Sequence, residues 1–231
     1  MTELKAAKQV LCAFLLRQGK HFEGKTHWTK GHREWLRKLT FEQPYLQESF
    51  DEYVISVNAL EERLKRIEKR LEETACDEEV GTKVKKLVCF CGIDTLTAVS
   101  IVSEVGDFSR FARAWDFANF VGLSVGEHSS GQKERHLGIT KSGNCYLRRL
   151  LTESAKSIKK TSVRFRKSKK LSKRQEGNDP AVIAYADKCR YRLRHKMMSL
   201  ENRGKPANVA STAAARELAC FVWGMMTDHI A

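Results

Sequence analysis

The chain has 231 residues, 42% of them hydrophobic, enough apolar material for one or two cores and too much for a disordered tail. Its formal net charge of +14 points to a polyanionic partner, nucleic acid ahead of a membrane surface. No run of about eighteen apolar residues and no signal-peptide pattern is present, and the seven cysteines are odd in number and lack a Cys-x-x-Cys pair, so reduced core thiols in a soluble cytoplasmic protein are expected.

Leu4, Ala7, Val10, Leu11, Phe14 and Leu15 share one helical face over residues 2–18, and Gly19 stops it. The segment His21 to His32 has no period, but Thr29 is placed to cap a helix carrying Trp35, Leu36 and Leu39. His21, His27 and His32 have no tight cysteine or histidine pairing, so they are expected to be solvated or capping rather than metal ligands. From Leu46 onward, Phe50, Tyr53, Val57, Leu60, Leu64, Ile67 and Leu71 recur at alternating spacings of 4 and 3, a heptad seam. Its partner is either another copy of the chain or a helix from the first 40 residues. Dimerisation is the favoured expectation.

Past a charged turn at Cys76–Gly81, Val84, Leu87, Val88 and Cys91 predict an apolar helix face, and Thr97, Ala98, Ile101 and Val102 a second helix. The intervening Gly92-Ile93-Asp94 resembles the corner of a helix-hairpin-helix module, in which the glycine and the next N–H groups meet a DNA phosphate without reading bases. The plain alternative is a tight helical corner, since the corner has one glycine where the stronger pattern has two. Cys89 and Cys91 have no matching pair, so no zinc site is expected. Gly106-Asp107 breaks the chain, Ser109 is a candidate cap, and Trp115, Phe117, Ala118 and Val121 read as core.

The stretch Phe120 to Leu151 departs most from helical packing. Gly122, Gly126, Gly131, Gly138 and Gly143 alternate with Ser129, Ser130, Lys133, Arg135, Thr140 and Lys141. Glycines admit close backbone approach, and hydroxyls and cations supply the donors that a phosphate needs. A helix is predicted from near Ser142 or Asn144, with Leu147, Leu150 and Leu151 inward and Arg148 and Arg149 beside them, and its free N–H groups would favour an anion. A flexible loop before an ordinary helix is the alternative. The order of residues is not that of a Walker loop.

Lys156 to Arg174 carries ten cations, Lys167, Lys169, Lys170 and Lys173 among them, and no acid; it reads as a phosphate-binding surface or a basic loop over 156–178 that orders on binding. Asp179-Pro180 is a cap followed by an N1 proline, opening a helix to about Glu201, and a last helix covers Val209 to Met226. With no period-two run, the fold class is all-α: N-terminal helices (1–45), a coiled-coil helix (46–76) and a helical domain (77–231).

Gly92-Ile93-Asp94, Glu104-Val105-Gly106-Asp107-Phe108-Ser109-Arg110-Phe111, Gly122-Leu123, Glu127-His128-Ser129-Ser130-Gly131, Gly138-Ile139-Thr140-Lys141-Ser142-Gly143-Asn144 and Leu147-Arg148-Arg149 occur in that order. This series closely resembles the C-terminal domain of the insertion sequence 110 (also 116 and 902) family of bacterial transposases. The resemblance implies DNA as partner, with a guide RNA as some members use, and a serine nucleophile at Ser129, with Ser130 as the neighbouring candidate. The residues themselves give the expected nucleic-acid contacts: Gly92 and Asp94 at the helix-hairpin-helix-like corner, Arg135, Thr140, Lys141, Gly143, Asn144, Arg148 and Arg149 in the glycine stretch and the helix start that follows it, and Lys167, Lys169, Lys170 and Lys173 in the basic run.

Members of that family also carry an N-terminal RuvC-like domain whose acids bind divalent metal. Asp94, Asp107 and Asp116 match none of its acidic motifs, so no metal or other cofactor is expected in this chain, which reads as lacking that domain. Two readings of different class follow: a transposase-type DNA recombinase forming a phosphoserine link, and a catalytically silent, nucleic-acid-binding and dimerising remnant.

Overall fold

The computed structural model describes residues 2–127, 136–160 and 166–230. The expectations placed on Ser129, Ser130 and Arg135, and on His128, Gly131, Lys133 and Arg164, lie outside the described residues. Ten helices are present among those described: α1 (Thr2–Arg17), α2 (Lys30–Lys38), α3 (Pro44–Thr74), α4 (Glu78–Leu87), α5 (Thr95–Val105), α6 (Ala114–Val121), α7 (Cys145–Lys159), α8 (Lys169–Gln175), α9 (Pro180–Asn202) and α10 (Ala207–Met226). The all-α class stands, with one addition. Strands β1 (Val125–Glu127) and β2 (His136–Ile139) form an antiparallel ribbon whose strands, of three and four residues, are too short to leave a period-two signal. No helix among the described residues is long and apolar enough to cross a membrane.

The chain divides into two compact units, Met1–Arg70 and Leu71–Ala231. In the first, Leu11, Phe14 and Leu15 of α1 and Leu36 of α2 bury against Phe50 and Val57 of α3. The N-terminal half of the heptad seam is therefore covered by helices of its own chain. Leu60 and Leu64 are only half-buried, and Ile67 is exposed. Thr29 caps α2, accepting the His32 N–H at 3.4 Å. Glu61 of α3 ties both other helices, accepting from Arg33 at 2.6 Å and pairing with Lys8 at 2.7 Å. Burial raises its carboxyl pKa, but the hydrogen bonds from Arg33 and Lys8 outweigh that and hold it below the usual range.

His32 departs from expectation: it is neither solvated nor a cap but 1% exposed, with the rings of Phe22, His27, Trp28 and Trp35 at centroid distances of 4.9 to 5.5 Å. Neither of its ring nitrogens has a hydrogen-bond partner. Burial, then the charges of His27 and Arg33, lower its pKa from 6.5. With the folded value depressed, the unfolded chain binds the proton more readily, so this contribution to stability is complete above the unfolded value and is lost as pH falls below it. Protection factors in α1, the intrinsic rate at each pH divided by the observed one, should thus be lower at about pH 5 than at about pH 8, and His32→Leu should shrink the difference, because a neutral side chain removes the proton linkage. An unchanged difference in His32→Leu would place the linkage elsewhere.

The second unit is built on α10, whose Ala210, Ala214, Ala215 and Ala219 are fully buried and let α9 and α7 approach closely. Leu147, Leu151, Ala155 and Ile158 of α7 and Ala186, Cys189, Leu193 and Met197 of α9 complete the core with Phe90, Ile93, Ile101, Phe117 and Leu123. Buried Cys89, its thiol pushed up to about 11 by burial, and buried Cys189 fit the expectation of inert core thiols. Cys76 and Cys145 do not, being exposed, although all seven are free.

Most helix starts are local events. The side chains of Asp77, Asp94, Asn144, Ser168 and Asp179 cap α4, α5, α7, α8 and α9. Ser109 is not a cap: its N–H and hydroxyl both donate to Asp107, and α6 begins only at Ala114. The basic run is also not simply a loop. Leu171 and Gln175 bury the inner face of α8, and Gln175 Nε2 donates to the Cys89 carbonyl at 3.0 Å.

Candidate nucleic-acid interface

The ribbon leaves the helical core through a narrow neck. Gly122, left-handed at φ +74, ends α6, and the Leu123 N–H donates back to Ala118. Thr140 N–H donates to Ser124 O at 2.9 Å and their hydroxyls lie 3.2 Å apart, which closes the base of the ribbon. One step further, the Asn144 N–H donates to Phe120 O at 2.9 Å, and Arg148 Nη1 to Val121 O at 3.0 Å. The returning strand is thus pinned to the end of α6 before α7 begins.

The glycines of this neck serve the chain itself. A Cβ on Gly143 would stand 2.3 Å from Phe120 O, and one on Gly122 would stand 2.5 Å from Ser142 O. Two backbones can lie this close only without side chains between them. Close approach of a ligand, the reason the sequence suggested, is not what these two positions require.

Asn144 is equally committed. Its Oδ1 accepts the N–H groups of Tyr146 and Leu147 at 3.0 Å each, and its Nδ2 donates to Glu104 Oε2 at 2.7 Å. Two of the first N–H groups of α7 are therefore already satisfied, so this helix start offers an anion less than its sequence implied. Glu104, at the end of α5, fixes the cap from outside α7. Nothing local in the sequence pairs residues forty apart, so this contact is set by the fold alone.

Around the neck, the side chains of Thr140, Lys141 and Arg149 are exposed, and the Arg149 guanidinium sits 5.5 Å from the Tyr146 ring centroid. Lys141 has a left-handed backbone, φ +55. Gly92 is elsewhere. Its Cβ would lie 2.4 Å from both Ser154 O and Ser157 Oγ of α7, so φ +90 and a missing side chain serve the packing of this corner on α7. Ser154 is ten residues, about 15 Å at 1.5 Å per residue, along α7 from Asn144. The corner and the glycine stretch therefore meet opposite ends of one helix. Asp94 is spent on capping α5, accepting the Thr97 N–H at 2.9 Å.

The lysines of the basic run divide. Lys169, Lys170 and Lys173 stand exposed on α8. Lys167 instead pairs with Asp187 at 2.5 Å and donates to Gln175 Oε1 at 2.7 Å, so its charge helps to hold α8 on α9. Among the described residues, no group of three or more His, Cys, Asp or Glu could hold a metal ion.

Residues 85–170, from the end of α4 to the start of α8, match the Transposase IS116/IS110/IS902 family, and this interval holds the corner, the neck and the ribbon. The chain is 32% identical to a putative transposase, y4qE, of Sinorhizobium fredii (strain NBRC 101917 / NGR234), over 97% of this chain and 54% of the relative. It is 33% identical to the transposase for insertion sequence element IS1533 of Leptospira borgpetersenii, over 88% of this chain and 58% of that one. A probable family 20 transposase of Pseudomonas aeruginosa is 30% identical over 74% of this chain and 42% of its own length. The chain spans little more than half the length of the first two relatives.

Proposed function

We propose that this chain acts in DNA transposition as the serine-bearing part of a transposase-type recombinase. The observation that carries the reading is the ribbon: its strands flank the segment containing Ser129 and Ser130, and its base is fastened to α6 and α7 within the interval that matches the family. In the reaction, Ser129 Oγ attacks the phosphorus of a DNA phosphodiester. The Oγ–P bond forms, a P–O bond to deoxyribose breaks, the serine proton passes to a base and the leaving oxygen takes up a proton. Lys141 and Arg149, with Arg135 from the ribbon segment, supply positive charge for the phosphorane-like transition state. Acidic groups of a second domain, as in the resembled family, would supply the base.

DNA is held chiefly through its phosphates, by the exposed cations of the neck and of α8. If about six phosphates are neutralised, the log–log dependence of affinity on salt should have a slope near −5 on duplex DNA. Replacing Lys169, Lys170 and Lys173 by Gln should make that slope shallower by about 3 and weaken binding on the order of a hundredfold at low salt. A flat response in the unmodified chain, or an unaltered slope in the variant, would remove the electrostatic argument. A guide RNA offers the same phosphates, and competition between duplex DNA and structured RNA would rank the two.

Self-association completes the reading. The seam beyond Val57 keeps its heptad spacing while Leu60 and Leu64 stay half-buried and Ile67 exposed, as a helix awaiting a second copy would. Leu60→Lys with Leu64→Lys should convert a dimer to a monomer by light scattering with the helical signal retained, and a monomeric unmodified chain would refute it.

The second reading is a catalytically silent, nucleic-acid-binding and dimerising remnant. It differs from the first only in forming no covalent adduct.

A further inference from the structure

Between α5 and α6 lies Arg110, an exposed residue whose guanidinium carbon sits 4.6 Å from the Phe111 ring centroid and 4.7 Å from that of Phe120. The two rings are 5.2 Å apart and both adjoin fully buried Phe117. Trp223 Nε1 donates to the Phe111 carbonyl at 3.0 Å, which fastens this loop to α10. Arg110 thus rests on an anchored aromatic platform, and the entropy of placing its guanidinium is largely lost on folding rather than on binding.

Within the fold its charge acts through space on Asp107, whose carboxyl is held low first by the Ser109 hydrogen bonds and last by Arg110. Among the described residues no ion pair joins Arg110 to a carboxylate. Neighbouring Asp107 accepts from Ser109 N–H and Oγ at 2.8 and 2.7 Å, and Asp116 accepts from Arg113 at 3.1 and 3.3 Å. The platform also leads directly to the neck, because Phe120, which carries the guanidinium on its ring, is the residue whose carbonyl receives the Asn144 N–H.

We propose that Arg110 is a phosphate-binding residue at the base of the ribbon, holding the backbone of the nucleic-acid strand that enters there. This rests on the nucleic-acid reading above and adds a residue to it. A guanidinium lying over aromatic rings keeps its N–H edge for bidentate contact with a phosphate, which an ammonium on the same stem does not reproduce. Arg149 over Tyr146 repeats the arrangement on the first turns of α7, so two arginines on aromatic supports flank one neck.

The rival account is that Arg110 only shields the two rings with its stem. Full-length chains carrying Arg110→Gln or Arg110→Lys separate the two when affinity for duplex DNA is measured against salt and thermal midpoints are recorded in parallel. Arg110→Gln is expected to weaken binding about tenfold and to make the slope shallower by about 0.9, the value for one phosphate, with little change in midpoint. Arg110→Lys should keep the slope and recover only part of the affinity. A lowered midpoint with the slope and affinity of the unmodified chain would overturn the proposal and leave the nucleic-acid reading intact. No salt-dependent binding by the unmodified chain would overturn both.

Discussion

Ser129→Ala should abolish the protein–DNA adduct that the unmodified chain forms in the presence of an acidic, metal-binding domain from a relative. A serine hydroxyl is a poor nucleophile at neutral pH, so removing the oxygen removes the bond itself rather than weakening a contact, and no residual adduct is expected. Ser130→Ala should retain it, because the resemblance maps the nucleophile to Ser129. The measurement is labelled DNA that stays with the protein after denaturation. An adduct that persists in Ser129→Ala and vanishes in Ser130→Ala would move the nucleophile by one residue. Persistence in both would refute serine chemistry, and no adduct in any arrangement would favour the remnant. An adduct formed by the chain alone would show that no acidic partner is needed.

Gly143→Ala should be the most damaging one-carbon change at the neck. The residue sits at φ +127, a conformation that side chains rarely adopt, and the added carbon would meet Phe120 O at 2.3 Å and Gly122 N at 3.1 Å. Neither backbone atom can retreat freely, since Phe120 O accepts the Asn144 N–H that begins α7. Backbone strain of about 1–3 kcal/mol and a weakened hydrogen bond of about 1 kcal/mol give a loss of roughly 2–4 kcal/mol. Chemical denaturation would read this as a lowered midpoint. Gly138→Ala is the control, for a Cβ there meets nothing within 4 Å. Equal midpoints in the two variants would mean that the neck is not the constraint described.

Several features were legible because they are local. Thr29, Asn144 and Asp179 announce helix starts, since a cap bonds N–H groups two or three residues away, and Leu147 and Leu151 mark a buried face by a spacing that one helix imposes on itself. The heptad seam was legible as a pattern but not in its partner. Nothing in the spacing says that α1 and α2 cover Phe50 and Val57 and leave Ile67 exposed. His32 looked solvated because its polarity is local, whereas the aromatic rings that enclose it come together only when α2 and the preceding segment pack.

The sequence by itself determined the helical class, the caps, the excess of positive charge and a motif series that resembles that of the transposase family. Only the tertiary structure decided how those motifs are used. It assigned Gly122 and Gly143 to a backbone crossing, Gly92 to the far end of α7, Asn144 to Glu104 and Lys167 to Asp187, and it left Lys169, Lys170, Lys173 and Arg110 facing outward. The physical reason is range: a cap or an apolar stripe is set within a turn or two of helix, while the choice between an internal partner and an open cation depends on residues tens of positions away, which meet only when the core closes.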